Sequence, residues 1–148
     1  MSAIIRPIRS SDRYQWDGLW QGYLDFYKHE LTDEQTDLSW ARLIDEDYEL
    51  HGLVAELDGE LVGLAHFSFT NSTWSRNRDL YLEDLFVSTT VRGQGFGKAL
   101  ILALDEVARE EGARKVWWET HKDNAVARRL YDSVAELSEF VKYTRAVD

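Results

Sequence analysis

The period of the apolar positions changes several times along the chain, and each change predicts a different element. A short apolar opening, Ile4 to Ile8 with Pro7 near its end, reads as a first strand. Trp16, Leu19, Trp20, Tyr23, Phe26 and Tyr27 then recur at three- and four-residue spacing, the spacing of one helix face, with Ser10 or Ser11 placed to cap it. A second short helix is expected around Leu38, Ala41, Arg42 and Leu43. From His51 the period is that of strands. Residues 53–57 and 60–67 flank Asp58-Gly59, a pair that tolerates the positive φ angles of a tight antiparallel hairpin. A polar loop over 71–79 leads into residues 80–87, a nearly continuous apolar run that suits a central strand covered on both faces. Phe96, Leu100, Leu104, Val107 and Ala108 trace one face of a long helix ending near Gly112. A strand over 115–120, a short helix over 124–131 and a closing strand over 137–147, with Val141, Tyr143 and Val147 alternating, complete the chain. This order predicts an α+β fold, a mixed and mostly antiparallel central sheet flanked by helices, in one domain over 1–148.

Composition narrows the chemistry. The chain has 148 residues, enough for one self-supporting core, and its 44% hydrophobic and 30% charged residues are the balance of a globular protein. With no cysteine, disulfides, thiolate metal sites and a cysteine nucleophile are excluded. The 27 acidic residues outnumber the 17 basic ones, and a net charge of -10 argues against a general nucleic-acid binder while suiting a cationic substrate or plain solubility. No segment reaches the roughly 20 apolar residues of a membrane-spanning helix, and the opening lacks the pattern of a secretory signal, so no membrane partner and a cytoplasmic location are expected.

The most specific chemical signal is Arg92-Gly93-Gln94-Gly95-Phe96-Gly97-Lys98, set where a strand hands over to a helix. The first N–H groups of a helix have no internal partners and lie at the positive end of its dipole, so such a turn is an anion cradle. Glycines at 93, 95 and 97 would let a ligand lie against the main chain. A P-loop would need Ser or Thr after its Lys, but Ala99 follows Lys98. A dinucleotide fingerprint would follow the first strand of a parallel unit with a different glycine spacing. Neither fits.

The run Leu85-Phe86-Val87, then Arg92-x-x-Gly95-x-Gly97, a long amphipathic helix, a strand, and Asn124-Ala125-Val126-Ala127-Arg128-Arg129-Leu130-Tyr131 resembles the GNAT superfamily of N-acetyltransferases over nearly the whole chain. More narrowly, residues 81–87, the run 124–131 and the aromatic first helix are similar to the branch of polyamine- and histone-acetylating enzymes. The resemblance implies acetyl-coenzyme A as cosubstrate, no metal, and the GNAT fold with splayed central strands. It implies that residues 92–98 hold the pyrophosphate, that Leu85 and Val87 offer backbone to the pantetheine arm, and that Phe86, Asn124 and Ala127 lie along the coenzyme. Tyr131 matches the tyrosine that protonates the leaving thiolate. After Tyr131, residues 132–136 depart from the common pattern. A homodimer is expected from the same relationship.

Transfer to an amine also needs a group to accept a proton, and Glu83, then Asp84, are the strand carboxylates placed for that or for holding a cation; on a regular strand they face opposite sides. The first-helix aromatics read either as a pocket wall or as a core face, and Trp117 and Trp118 as core and pocket wall. His66 and His121, with no paired carboxylate or second histidine at ligand spacing, read as structural or surface residues, as do His29 and His51. The expected reaction is acetyl transfer to a primary amine of a small molecule, a polyamine or an amino-acid-like compound, by direct attack in a ternary complex. Peptide N-acetylation is the enzymatic alternative, and a coenzyme-binding regulatory module without turnover is the alternative of another class.

Overall fold

A computed structural model describes residues 3–147; residues 1, 2 and 148, which the expected opening and the 1–148 domain include, lie outside the described residues. The chain divides into two compact units, Met1–Trp118 and Glu119–Asp148.

The first unit is built on a five-stranded sheet of order β1 (Ala3–Pro7), β2 (His51–Leu57), β3 (Glu60–Thr70), β4 (Asp79–Val87) and β5 (Val116–Trp117). The first three pairings are antiparallel and the last is parallel. The hairpin between β2 and β3 turns at Asp58 and Gly59, both at positive φ, 51° and 87°, as the Asp-Gly pair predicts. Three helices complete the unit: α1 (Arg13–Phe26), α2 (Asp33–Ile44) and α3 (Phe96–Glu110).

Neighbouring residues of β3 face opposite sides, which separates the helices into two layers. Leu64 packs in one core with Trp16, Leu19, Trp20 and Leu24 of α1 and Trp40 and Leu43 of α2. Gly63 faces α3 so closely that a Cβ there would stand 3.1 Å from Leu100 Cδ1. Leu100, Ile101, Leu104 and Ala108 form the buried stripe of α3, which ends at Gly112 with φ 69°.

Three expectations are corrected. Neither Ser10 nor Ser11 caps α1: both lie in a 3₁₀ turn, Ser10–Asp12, and Asp12 does the organising. Its carboxylate accepts the Arg9 N–H at 2.7 Å and holds the buried Arg6 guanidinium through both oxygens, at 2.8 and 2.9 Å, while Arg6 also reaches Glu56. A charged bidentate partner outcompetes a hydroxyl for that position. The strand over 115–120 contracts to Val116–Trp117, pinned at its start by the pairing of Arg114 with buried Asp79 at 2.8 Å.

In the second unit, α4 (Ala125–Val134) forms where the short helix is expected, but residues 137–147 form no strand. Alternation makes a strand only where a neighbouring strand supplies a ladder and a face to bury. Here Leu137, Phe140, Val141, Tyr143 and Val147 are exposed.

Candidate active site

β4 carries five of the residues that the sequence singles out, Glu83 to Val87, and leads into the turn that carries seven more. Its pairing with β5 is confined to Leu80 opposite Val116 and Tyr81 opposite Trp117, and β4 runs on to Val87. The backbone groups of an antiparallel strand point alternately to its two edges. Ser88 N donates to Val62 O at 2.8 Å on the β3 side, so Phe86 faces β3 as well. Leu85 and Val87 therefore turn toward the edge where β5 no longer pairs. The Val87 carbonyl accepts from Arg92 Nε at 3.1 Å, which leaves the Leu85 backbone groups and the Val87 N–H directed at that edge.

Beyond Val87 a 3₁₀ turn, Thr89–Val91, leads into the glycines. Gly93 and Gly95 have φ 81° and 86°, and a Cβ on either would meet nothing within 4 Å. Glycine is therefore required by backbone conformation, and the space in front of it is open, as a cradle for a phosphate needs. Gly95 is the N-cap of α3, and the first intrahelical bond that it accepts comes from Ala99 N at 3.0 Å. The N–H groups of Phe96, Gly97 and Lys98 precede that first bond and form the positive end of the helix. Gln94 and Lys98 are exposed beside them. The Arg92 guanidinium lies over Phe26 and Phe86, 5.4 Å from each ring centre, which ties the turn to the end of α1. A cleft of about 1030 Å³ runs along this junction, with Asp25, Phe26, Phe86, Ser88 and Arg92 in its wall.

The carboxylates of β4 are not arranged as on a regular strand. His66 pairs with Asp84 and Phe67 with Leu82, so Glu83 is the extra residue of a bulge. Glu83 is exposed, whereas Asp84 is directed at the face of α1. There His66, on buried β3, meets Asp84 Oδ2 through Nδ1 at 3.0 Å, and its Nε2 accepts from Trp16 Nε1 at 3.0 Å. This corrects the reading of His66 as a histidine without a carboxylate; the partner lies 18 residues away in sequence. His121 has a loose carboxylate neighbour as well, Asp123 at 3.7 Å.

Tyr23 completes the cluster. Burial first, then the charge of Asp84 and a hydrogen bond to it, hold its hydroxyl far above the ordinary tyrosine range, with Tyr27 and Glu83 adding to the effect. The aromatics of α1 therefore divide between the two readings. Trp16 and Trp20 are core, while Tyr23, stacked on Trp20 at 4.9 Å and touching Tyr27 at 4.8 Å, carries the wall out to half-exposed ground beside Asp84. Within that wall Trp20 Nε1 is buried with no hydrogen-bond partner, a cost of about 1–3 kcal/mol that a purely apolar ring would avoid. Periodicity marked Tyr23 only as one of a stripe. Its role depends on Asp84, which no local pattern shows.

In the second unit Asn124 is the N-cap of α4: its Oδ1 accepts from Ala127 N at 3.3 Å, and its Nδ2 meets Thr120 Oγ1 at 3.5 Å. Tyr131 lies two turns along the same helix.

The comparisons with known proteins agree with this geometry. Residues 16–135 match the model of the acetyltransferase (GNAT) family, a span that crosses the boundary between the two units. The D-amino-acid N-acetyltransferase HPA3 of Saccharomyces cerevisiae is 31% identical over 144 residues, covering 96% of this chain and 89% of the yeast enzyme. A thialysine N-epsilon-acetyltransferase of Sus scrofa is 41% identical over 123 residues, 75% of this chain and 70% of that one. Among solved structures, the aminoglycoside acetyltransferase AAC(6')-Iy in complex with a bisubstrate analogue superposes with a TM-score of 0.86 at 21% identity, each chain covered in full, a likeness of fold. With a family match over most of its length and a relative at 31% identity along nearly all of it, the chain belongs to the acetyltransferase (GNAT) family and is an N-acetyltransferase.

Proposed function

We propose that this enzyme transfers an acetyl group from acetyl-coenzyme A to a primary amine of a small cationic molecule, by direct attack in a ternary complex. The observation that carries the reading is the course of β4. It leaves its pairing with β5 after Tyr81, presents Leu85 to the open edge, and runs into a glycine turn at the N-terminus of α3. The residues fit the coenzyme. The open space before Gly93 and Gly95, with the N–H groups of residues 96–98, suits a pyrophosphate, and the edge at Leu85 suits the amide-bearing pantetheine arm.

Acetyl-coenzyme A supplies the acetyl group as a thioester, whose carbonyl carbon the neutral amine attacks. The Leu85 N–H is the donor for the carbonyl oxygen in this reading. Glu83 and Asp84 are the carboxylates that hold the incoming ammonium and take its proton, directly or through water. Tyr131 and Asn124 enter on the family resemblance, as the proton donor to the departing thiolate and as a contact to the coenzyme. Asn124 would serve that contact while capping α4. The two units act as one catalytic domain in this proposal. A homodimer belongs to it too, supported by the exposed alternating side chains of Val141, Tyr143 and Val147, and a monomeric mass by light scattering would remove it.

The names of the relatives, which specify D-amino acids and thialysine, support a small acceptor that carries an amine. The test is thiol release from acetyl-coenzyme A over a panel of polyamines, D- and L-amino acids and peptides. Amine-stimulated release with small acceptors is expected. Release with peptides alone would move the reading to protein acetylation, and tight coenzyme binding with no release would make the chain a binding module.

A further inference from the structure

The carboxylates of the first unit that are set into the sheet or its packed edge are not partnered alike. Asp12 holds the Arg6 guanidinium through two bonds, and Asp79 holds that of Arg114. Asp84, with 21% of its side chain exposed, has no guanidinium or ammonium partner among the described residues: its partners are His66 and Tyr23.

The charge of His66 follows from its own contacts. An indole N–H only donates, so the Nε2 that receives Trp16 Nε1 at 3.0 Å must be unprotonated. The imidazole proton is then on Nδ1, where it donates to Asp84 at 3.0 Å. In that tautomer the ring carries no charge. Tyr23 is neutral as well, its hydroxyl held protonated by burial and by Asp84. Asp84 is therefore oriented by two neutral donors and lacks the cation that Asp12 and Asp79 possess. It sits one residue before Leu85, is partly exposed, and is bonded to Tyr23, whose ring touches the half-exposed ring of Tyr27.

Resting on the reaction proposed above, we propose that the missing cation is the ammonium group of the acceptor, and that His66 is a positioning residue: clamped by Trp16, it aims Asp84 at that ammonium without neutralising it. A histidine free to protonate, or a lysine in its place, would orient the carboxylate equally well and cancel the charge that attracts the substrate. The Trp16 contact is what distinguishes this arrangement from an ordinary buried ion pair.

The experiment uses the full chain and measures binding apart from turnover. Calorimetry gives the affinity of the coenzyme A-loaded protein for three ammonium probes, 1,4-diaminobutane, L-lysine and D-alanine, and the affinity of the free protein for acetyl-coenzyme A. His66→Leu is expected to weaken the tightest probe roughly tenfold or more, the scale of a hydrogen bond to a charged group, and Asp84→Asn at least as much, with acetyl-coenzyme A affinity unchanged. His66→Asn, whose amide nitrogen stands near the place of Nδ1, is expected to recover most of the affinity. His66→Gln, whose nitrogen stands nearer Nε2, is not. Equal behaviour of the Asn and Gln variants, ammonium binding unaffected by His66→Leu or Asp84→Asn, or parallel loss of coenzyme affinity would each overturn the proposal. Wild-type binding of a probe without acetyl transfer, still lost in His66→Leu, would instead support it and sink the reaction.

Discussion

Replacing Gly95 with alanine tests the coenzyme cradle at the point where conformation and chemistry meet. The residue caps α3 at φ 86°, and an added Cβ would meet no atom within 4 Å. Any effect must therefore come from the backbone, not from a clash. Holding an L-residue in the left-handed region costs about 1–2 kcal/mol, and the smaller entropy of the unfolded alanine chain offsets under about 1 kcal/mol of it. Two responses are open to the variant. If the turn keeps its shape, the protein loses about 1 kcal/mol of stability and retains its affinity for coenzyme A. If residue 95 relaxes to negative φ, the N–H groups of residues 96–98 are re-aimed and the affinity falls instead. Urea unfolding and calorimetric titration with coenzyme A distinguish the two. The expected outcome is a loss in at least one of them, with amine binding at Asp84 preserved when coenzyme A is saturating. A variant equal to the wild type in both stability and coenzyme affinity would refute the assignment of a required left-handed cap.

Two glycines of α1 should respond to alanine with opposite signs. Gly18 has nothing within 4 Å of an added Cβ, so Gly18→Ala should stabilise by about 0.5–1 kcal/mol, whereas at Gly22 the Cβ would stand 2.9 Å from Phe86 Cζ, and the displaced ring should cost about 1–3 kcal/mol and loosen Arg92. Both are read from thermal or urea unfolding. The hydrogen bond from Arg6 holds the Asp12 carboxyl below its ordinary value. A depressed folded-state value stabilises the fold above the unfolded value, and that contribution is lost as pH falls through the folded one, so acid unfolding should steepen below about pH 4. Asp12→Asn should flatten that limb while lowering stability at neutral pH, and a wild-type slope in the variant would contradict the assignment. Tyr131→Phe removes only a hydroxyl and should slow acetyl transfer in single-turnover measurements; an unchanged rate would end its role as proton donor.

The fold was legible wherever the deciding interactions are local. The hairpin at Asp58-Gly59 follows from two residues that accept positive φ, and α3 follows from its apolar stripe and the glycines at either end. What failed were the readings that depend on a distant partner. Asp12 displaces the serines as organiser of the first helix because Arg6 of β1, which also pairs with Glu56 of β2, takes both oxygens of its carboxylate. Residues 137–147 alternate as a strand should, but alternation states only which side chains share a face, and a ladder requires a neighbour. The resemblance implies a bulge in this strand, but its place at Glu83 cannot be read from either strand alone, because it is a property of the register between β3 and β4.

The same distinction separates the two halves of the active site. Apart from Asn124 and Tyr131, the proposed donor side lies in fourteen consecutive residues, from Leu85 to Lys98, and its chemistry is that of backbone groups, so the glycine spacing announces it. The acceptor side is assembled from Trp16 and Tyr23 on α1, His66 on β3 and Asp84 on β4, none within six residues of another in the chain. Of these, Asp84 is named beforehand as a candidate carboxylate, but ranked after Glu83, and Trp16 and Tyr23 only as members of an aromatic stripe. The bulge reverses that ranking by placing Glu83 outward and Asp84 against His66. Backbone recognition suits a coenzyme that every member of such a family shares, and it needs only a few glycines to persist. Recognition of the acceptor has to change from one enzyme to the next, and side chains drawn from three separate elements can be exchanged without disturbing the turn at Arg92. That arrangement explains why so little sequence identifies the reaction, and why the acceptor must be read from the charge that Asp84 leaves uncompensated.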